Sequence, residues 1–130
     1  MKHRVLVVED NLANRELLCD WLESEEFEVT SAENLEQAIG AFGTQPPHIV
    51  LLDVQLGSED GLSLARWIRR EPKTHQIPVI AVSAHAMLID QERMMQAGCS
   101  ACISKPLNFK LLSEQLQRWL SHPAGLPSKL

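Results

Sequence analysis

The sequence has no excess of basic residues and no long apolar run. Its 12 lysines and arginines are outnumbered by 17 aspartates and glutamates, which gives a formal net charge of -5. A nucleic-acid-binding surface needs clustered basic side chains to meet the phosphate backbone. The longest apolar runs, such as Ile49 to Leu52, are far shorter than a membrane span. We therefore expect neither a nucleic-acid partner nor a membrane span, and the absence of an apolar signal-peptide core near Met1 argues against export.

Cysteine is scarce and odd in number. Cys19, Cys99 and Cys102 occur in a chain of 130 residues whose hydrophobic content of 45% can build a core without disulfides. We expect a reducing, cytoplasmic environment. Cys99 and Cys102 form a C-x-x-C pair, but they lead into a strand rather than opening a helix, and no further cysteine or histidine is spaced to complete a zinc site. We interpret them as structural cysteines.

Short β-branched runs alternate with longer amphipathic segments along the chain. The expected strands are Arg4 to Val8, Glu28 to Ser31, Ile49 to Leu52, Val79 to Val82 and Ala101 to Ser104. Three of these runs are apolar on both faces, as in parallel strands that lie between two layers of helices. The alternation predicts five β-strand and α-helix units, (βα)5, around a parallel sheet with right-handed crossovers.

The helical segments show apolar residues at helical spacing. Asn34 and Asn108 stand at N-cap positions of the second and the last helix. The fourth helix, Ala86 to Ala97, has the weakest apolar stripe, and Gly98 is its expected C-terminal stop. We expect residues 1–122 to form one domain and residues 123–130 to form a flexible tail, because the tail is rich in proline and glycine.

Reactive side chains end four of the predicted strands. They are Glu9 and Asp10 after the first strand, Asp53 after the third, Ser83 after the fourth and Lys105 after the fifth. The carboxyl ends of the strands line the ligand crevice of an open α/β sheet, so these residues should meet at one edge. Clustered carboxylates repel one another unless a cation lies among them, and hard oxygen ligands suit Mg²⁺. Asp53 can then attack a phosphoryl group whose oxygens Lys105, Ser83 and Mg²⁺ hold.

Five motifs together resemble the receiver family of two-component response regulators. They are Val5 to Asn11, Leu51 to Leu56, Asp60-Gly61, Val82 to Ala84 and Ser104 to Pro106, within a match from about Arg4 to about Leu120. The resemblance implies a flavodoxin-like, doubly wound sheet of order 2-1-3-4-5, an order for which a receiver protein is the standard example. It also implies a phosphoacceptor rather than an enzyme, with only Mg²⁺-dependent self-phosphorylation and self-dephosphorylation.

The same resemblance implies roles for individual residues. Asp53 would take phosphate from a histidine kinase or a histidine phosphotransfer protein. Mg²⁺ would be held by Asp10, Asp53 and the main-chain carbonyl of Gln55, with Glu9 acting through water. Lys105 would precede a cis proline bond that directs it into the site.

Output is expected at the fourth helix. The family commonly has a switching aromatic residue where this chain has Cys102, and the sequence contains no tyrosine, so any switch must work without a large ring there. Leu88, Ile89 and Met95 are candidates for a partner surface that meets an unidentified downstream protein. His85, with Gln55, would flank the path of water to the acyl phosphate. Gly57 stands where the family often has proline and should loosen the loop that follows Leu56.

Other interpretations compete with this one. Asp53, Ser83 and Lys105 taken singly are ordinary at strand ends, and only their combination is specific. A phosphorylation-independent adaptor with a receiver-like fold is the main alternative function. A flavodoxin would need a Ser/Thr/Gly-rich phosphate loop after the first strand, where this chain has the acidic Glu9-Asp10. A haloacid dehalogenase-type enzyme would have a D-x-D motif after its first strand, whereas Asp53-Val54-Gln55 lacks the second acid and follows the third strand. The sequence leaves open a stand-alone regulator or a receiver of a hybrid kinase.

Overall fold

The computed structural model describes residues 2–43, 45–84 and 87–121. The strands are β1 (Arg4–Val8), β2 (Glu28–Ala32), β3 (Ile49–Asp53), β4 (Gln55–Leu56), β5 (Glu59–Asp60), β6 (Val79–Ser83) and β7 (Ala101–Ser104). The helices are α1 (Leu12–Ser24), α2 (Leu35–Gly40), α3 (Leu62–Arg70), α4 (Leu88–Gln96) and α5 (Phe109–Leu120). The expected tail, residues 123–130, and His85 lie outside the described residues, so the predictions for them stay predictions.

Five parallel strands form the central sheet in the order β2-β1-β3-β6-β7. This is the predicted order 2-1-3-4-5 once the short β4–β5 pair, which lies outside the sheet, is left out of the numbering. The register places Asp53 beside Val82 and Ser83 beside Ser104. The carboxyl ends of β3, β6 and β7 therefore finish at nearly the same level. The doubly wound α/β fold expected from the sequence is confirmed.

Side chains alternate between two cores because successive residues of a strand face opposite sides of the sheet. On β1, for example, Leu6 and Val8 pack in one core and Val5 and Val7 in the other. The first core includes buried residues of α2, α3 and α4, and the second includes buried residues of α1 and α5. Burial on both sides explains why the central strands are apolar throughout.

Asparagine caps begin three of the helices. The side chains of Asn11, Asn34 and Asn108 accept hydrogen bonds from main-chain N–H groups in the first turns of α1, α2 and α5. The α4 helix has no such side-chain cap and begins at Leu88, whereas the sequence predicted a start at Ala86, which is not among the described residues. Gly98, with φ +106°, follows the C-terminus of α4 as predicted.

A hairpin that the sequence analysis did not predict follows β3. Gln55 and Leu56 pair antiparallel with Asp60 and Glu59, and Gly57 adopts a φ of +58° in the turn between them. A left-handed residue suits a tight hairpin turn, and glycine takes that conformation without steric cost. Within the described ranges, no helix combines the length and apolar character needed to cross a membrane.

Candidate functional site

Asp53 ends β3 with its side chain buried and both carboxylate oxygens engaged. Its Oδ1 accepts a hydrogen bond of 2.9 Å from the main-chain N–H of Gln55, and its Oδ2 accepts one of 2.9 Å from Lys105 Nζ. Gly61 passes so close behind this residue that a Cβ there would lie 2.5 Å from the Asp53 carbonyl oxygen. The close approach explains the glycine, which lets the chain enter α3 directly beside the acid.

Lys105 follows β7 and reaches back over the edge of the sheet. Its Nζ lies 2.9 Å from Asp53 Oδ2 and 3.5 Å from Glu9 Oε1, and its peptide bond to Pro106 is cis, as the resemblance implied. Burial lowers the pKa of Lys105, but the hydrogen bond and the charges of Asp53 and Glu9 outweigh burial and raise it. The lysine is therefore charged and held between two acids.

Glu9 is buried beside this pair. Its Oε2 accepts a hydrogen bond of 3.1 Å from the main-chain N–H of Asn11. Burial, followed by its hydrogen bond and repulsion with Asp53, raises the pKa of Glu9 to about 7, although the Asn11 hydrogen bond and the charge of Lys105 act in the opposite direction. Glu9 therefore keeps its proton to a higher pH than a free carboxylic acid, mainly because it is buried.

Asp10 completes a group of three carboxylates. It is exposed, and one oxygen from each of Glu9, Asp10 and Asp53 lies within 4.8 Å of the others. Three oxygen ligands at such spacing could hold a hard divalent cation. The three acids predicted as metal ligands are therefore brought together. Gln55 begins β4 next to them, and the role of its carbonyl as a ligand stays a prediction.

Ser83 lies buried at the end of β6. Its main-chain carbonyl accepts a hydrogen bond of 2.9 Å from the main-chain N–H of Lys105. This bond joins the two predicted phosphoryl-binding residues at the ends of the neighbouring strands β6 and β7. Ser83 and Gln55 line a cleft of about 140 Å³ to which residues of α4 also contribute. The predicted site residues of β1, β3, β6 and β7 thus meet at one end of the sheet.

The predicted partner surface lies on α4. Leu88 is 72% exposed, Ile89 66% and Met95 36%. Cys102, on β7, places its Sγ 3.9 Å from Met95 Sδ, so the position where the family often has an aromatic ring contacts α4. All three cysteines are free.

A second cleft, of about 270 Å³, adjoins the site and was not predicted. Glu9, Asp53 and Lys105 line one side of it. Most of the remaining lining comes from α1 and the segment leading into α5, namely Asn14, Leu17, Leu18, Pro106, Leu107 and Phe109. Leu17 is one of several apolar residues at helical spacing in α1, together with Leu18 and Trp21, but it is 57% exposed. The helical spacing alone could not show that this leucine lies at the border of a cleft rather than inside the core.

The topology and this cluster define a doubly wound α/β domain with one acid–lysine site at the carboxyl end of its sheet. A family model described as the response regulator receiver domain matches residues 5–117. The chain is 36% identical over 120 residues to the polar-differentiation response regulator DivK of Brucella anthropi, and the match covers 92% of this chain and 98% of that protein. The DivK of Brucella ovis is 35% identical over the same length, with the same coverage.

Solved structures show the same fold. The signal receiver domain of a DNA-binding response regulator from Colwellia psychrerythraea has a TM-score of 0.85 and 28% identity, covering 93% of this chain and 100% of that one. The receiver domain of a signal transduction histidine kinase from Syntrophus aciditrophicus has a TM-score of 0.84 and 28% identity, covering 92% and 90%. The protein belongs to the response regulator receiver domain family of two-component systems, and the resemblance found in the sequence is confirmed.

Proposed function

We propose that this receiver domain accepts a phosphoryl group on Asp53. The observation that supports this most directly is the position of Lys105, whose Nζ lies 2.9 Å from Asp53 Oδ2. Phosphoryl transfer depends on positioning and on cations around the transferred oxygens more than on covalent help from the protein. Lys105 would hold one of those oxygens, and the Ser83 hydroxyl would donate a hydrogen bond to another.

The acidic cluster supports Mg²⁺ as the cofactor. Glu9, Asp10 and Asp53 would hold the ion, and the carbonyl of Gln55 would be a further ligand. When bound, Mg²⁺ supplies positive charge that offsets the repulsion among the carboxylates and the charge of the phosphoryl group.

The donor we propose is a histidine kinase or a histidine phosphotransfer protein. Relatives named as DivK response regulators support this choice. A phosphohistidine must approach Asp53 from outside the sheet, and the cleft of about 270 Å³ that Asp53 and Lys105 both line offers space for that approach. Small phosphodonors should also phosphorylate Asp53, because the acceptor carboxylate and the cation that holds the phosphoryl oxygens, Lys105, both belong to this chain. Self-dephosphorylation would use the same site. We also propose a cytoplasmic location, where the protein would meet such donors.

The output we propose is a change at α4 that a downstream protein recognises through Leu88, Ile89 and Met95. Their exposure supports this assignment. Cys102 contacts Met95, but its side chain is too small to act as a switching ring. His85 would tune the lifetime of the acyl phosphate together with Gln55.

Phosphorylation of the intact chain by acetyl phosphate tests the proposal. We expect one phosphoryl group per molecule in the presence of Mg²⁺, and borohydride trapping followed by peptide mass spectrometry should locate it at Asp53. Asp53→Asn should lose the label, because the amide oxygen is a poor nucleophile. Leaving out Mg²⁺ should also prevent labelling.

Asp20→Asn is the matched control, because Asp20 is an exposed acid on α1 outside the cluster. It should be labelled like the wild type. If Asp53→Asn takes up as much phosphate as the wild type, the proposal is wrong. If the wild type takes up none, the phosphorylation-independent adaptor becomes the better interpretation.

A further inference from the structure

The smaller cleft beside Ser83 is bordered by charged residues of α4. One wall contains Val54, Gln55, Asp60, Leu62 and Ser83, and α4 contributes Asp90, Arg93 and Met94. Asp90 and Arg93 are three residues apart, so they lie on neighbouring positions of one helix face. This face therefore presents one negative and one positive side chain to the end of β6, beside the Asp53 site.

Arg93 is the basic residue of this helix and is available for a new interaction. It is exposed, and within the described part of the chain it takes part in no ion pair. The acid across the cleft, Asp60, is already paired with Arg66, with 3.0 Å between Arg66 Nη2 and Asp60 Oδ2. Among the described residues, the Arg93 guanidinium is thus an exposed cation that lines the cleft with Gln55 and Ser83 and has no ion-pair partner.

Phosphorylation would change the balance of charge that Arg93 meets. In the unmodified protein, Lys105 is shared between Asp53 and Glu9. A phosphoryl group carries a charge of about -1.5 to -2, and because the carboxylate loses its single charge when the acyl phosphate forms, the site becomes more negative by roughly one charge or slightly less. With Mg²⁺ present both before and after phosphorylation, and with Lys105 already engaged with two acids, the added negative charge attracts Arg93 and repels Asp90. Because Arg93 is attracted and Asp90, about one helical turn away, is repelled, we expect α4 to change its orientation rather than to move as a whole in one direction.

We propose that Arg93 is a positioning residue through which α4 responds to negative charge on Asp53. The inference rests on the proposed phosphorylation of Asp53 and adds a specific cation to its output. It also accounts for a response without a large ring at Cys102, because the charge acts on α4 directly.

Beryllofluoride with Mg²⁺, which mimics a phosphoryl group on a carboxylate, is the probe. Binding and helix movement are coupled reciprocally, so removing the group that couples them must weaken binding of the probe. We expect Arg93→Gln to bind beryllofluoride about fivefold or more weakly and to show reduced amide chemical-shift changes across residues 88–96. Arg93→Lys keeps the charge and should restore most of both effects.

Two further variants and a change in salt concentration separate an electrostatic role of Arg93 from a structural one. Arg70→Gln removes an exposed arginine at the end of α3 and should behave like the wild type. Asp90→Asn should strengthen beryllofluoride binding, because it removes the repelled charge. The difference between the wild type and Arg93→Gln should shrink as salt is raised, because salt screens exposed charges.

The outcomes distinguish this inference from the proposed function. If Arg93→Gln binds beryllofluoride as tightly as the wild type, with full changes across residues 88–96, the role of Arg93 is wrong while phosphorylation of Asp53 stands. If Arg93→Lys fails as completely as Arg93→Gln, the role of charge is also refuted. If acetyl phosphate does not label the wild type at Asp53, the proposed function fails first.

Discussion

Helices α3 and α4 have the same length, nine residues, and lie on the same face of the sheet, yet they are held very differently. The α3 helix buries Leu62, Leu64, Ala65 and Ile68, whereas α4 buries Met94 alone. Each fully buried aliphatic side chain contributes about 1.5–3 kcal/mol. The difference shows that the fold attaches one helix firmly and leaves its neighbour with little to hold it in one arrangement. A small energy gap of this kind suits a switch.

The two ends of α4 also differ. Its first turn has no side-chain cap, and Leu88 and Ile89 are exposed there. Beyond its last turn, Arg69 of α3 donates hydrogen bonds to the Gly98 carbonyl at 2.8 Å and to Ser100 Oγ at 3.2 Å. The α3 helix therefore fixes the C-terminal end of α4, so a reorientation would move mainly the N-terminal part.

The same substitution in the two helices should give the largest contrast. Ile68→Ala removes a fully buried side chain of α3, and we expect the free energy of unfolding to fall by about 2–5 kcal/mol. Ile89→Ala removes a side chain that is 66% exposed on α4, and we expect a change within about 0.5 kcal/mol. Urea unfolding followed by tryptophan fluorescence measures both. Equal losses would mean that α4 is held as firmly as α3.

The sequence predicted the parts of the molecule that depend on strand order. Because parallel strands end at one edge, the apolar runs before Asp53 and Ser83 were enough to bring these residues together with Asp10 and Lys105. The expected caps Asn34 and Asn108 were also confirmed, because N-capping depends only on residues within the first turn of a helix.

The sequence did not predict features that depend on tertiary packing. The β4–β5 hairpin has two residues per strand, too few for a periodic pattern. The irregular stripe of α4 could not show which face Asp90 and Arg93 occupy. The contacts of Arg69 with Gly98 link residues 29 positions apart and depend on how α3 packs beside the α4–β7 turn.

A methyl group at Gly98 should produce the next largest effect, because it tests the fixed end of α4. Gly98 has a φ of +106°, and an added Cβ would lie 2.4 Å from Arg69 Cγ. We expect Gly98→Ala to lower the free energy of unfolding by about 1–3 kcal/mol through backbone strain and displacement of Arg69. Thermal and urea unfolding both measure this loss.

Gly40→Ala is the matched control. A Cβ at Gly40, the last residue of α2, would meet nothing within 4 Å. We expect it to raise stability by up to about 1 kcal/mol, because alanine is the better helix former. Similar results for the two glycines would refute the special role of Gly98.

The smallest effect on stability near neutral pH should come from ionisation of Cys99, which lies just beyond the fixed end of α4. Cys99 is fully buried, and its N–H donates a hydrogen bond of 3.1 Å to the Met94 carbonyl. Burial, followed by repulsion from Cys102, raises the pKa of the Cys99 thiol from 9.0 to about 12. A raised thiol pKa contributes stability that is complete below pH 9.0 and is lost as the pH rises toward 12. The thiol should therefore add no pH dependence to unfolding between pH 6 and pH 8.

Alkylation tests both the burial of Cys99 and its interpretation as a structural cysteine. At pH 8, iodoacetamide should modify Cys99 at least about tenfold more slowly than the half-buried Cys102, because the reactive thiolate is scarce and enclosed. Peptide mass spectrometry at timed intervals measures both rates in one sample, with Cys102 as the internal control. Equal rates would show that the fixed end of α4 opens as readily as the β7 surface. A disulfide between Cys99 and Cys102 that phosphorylation requires would instead make the pair a redox site.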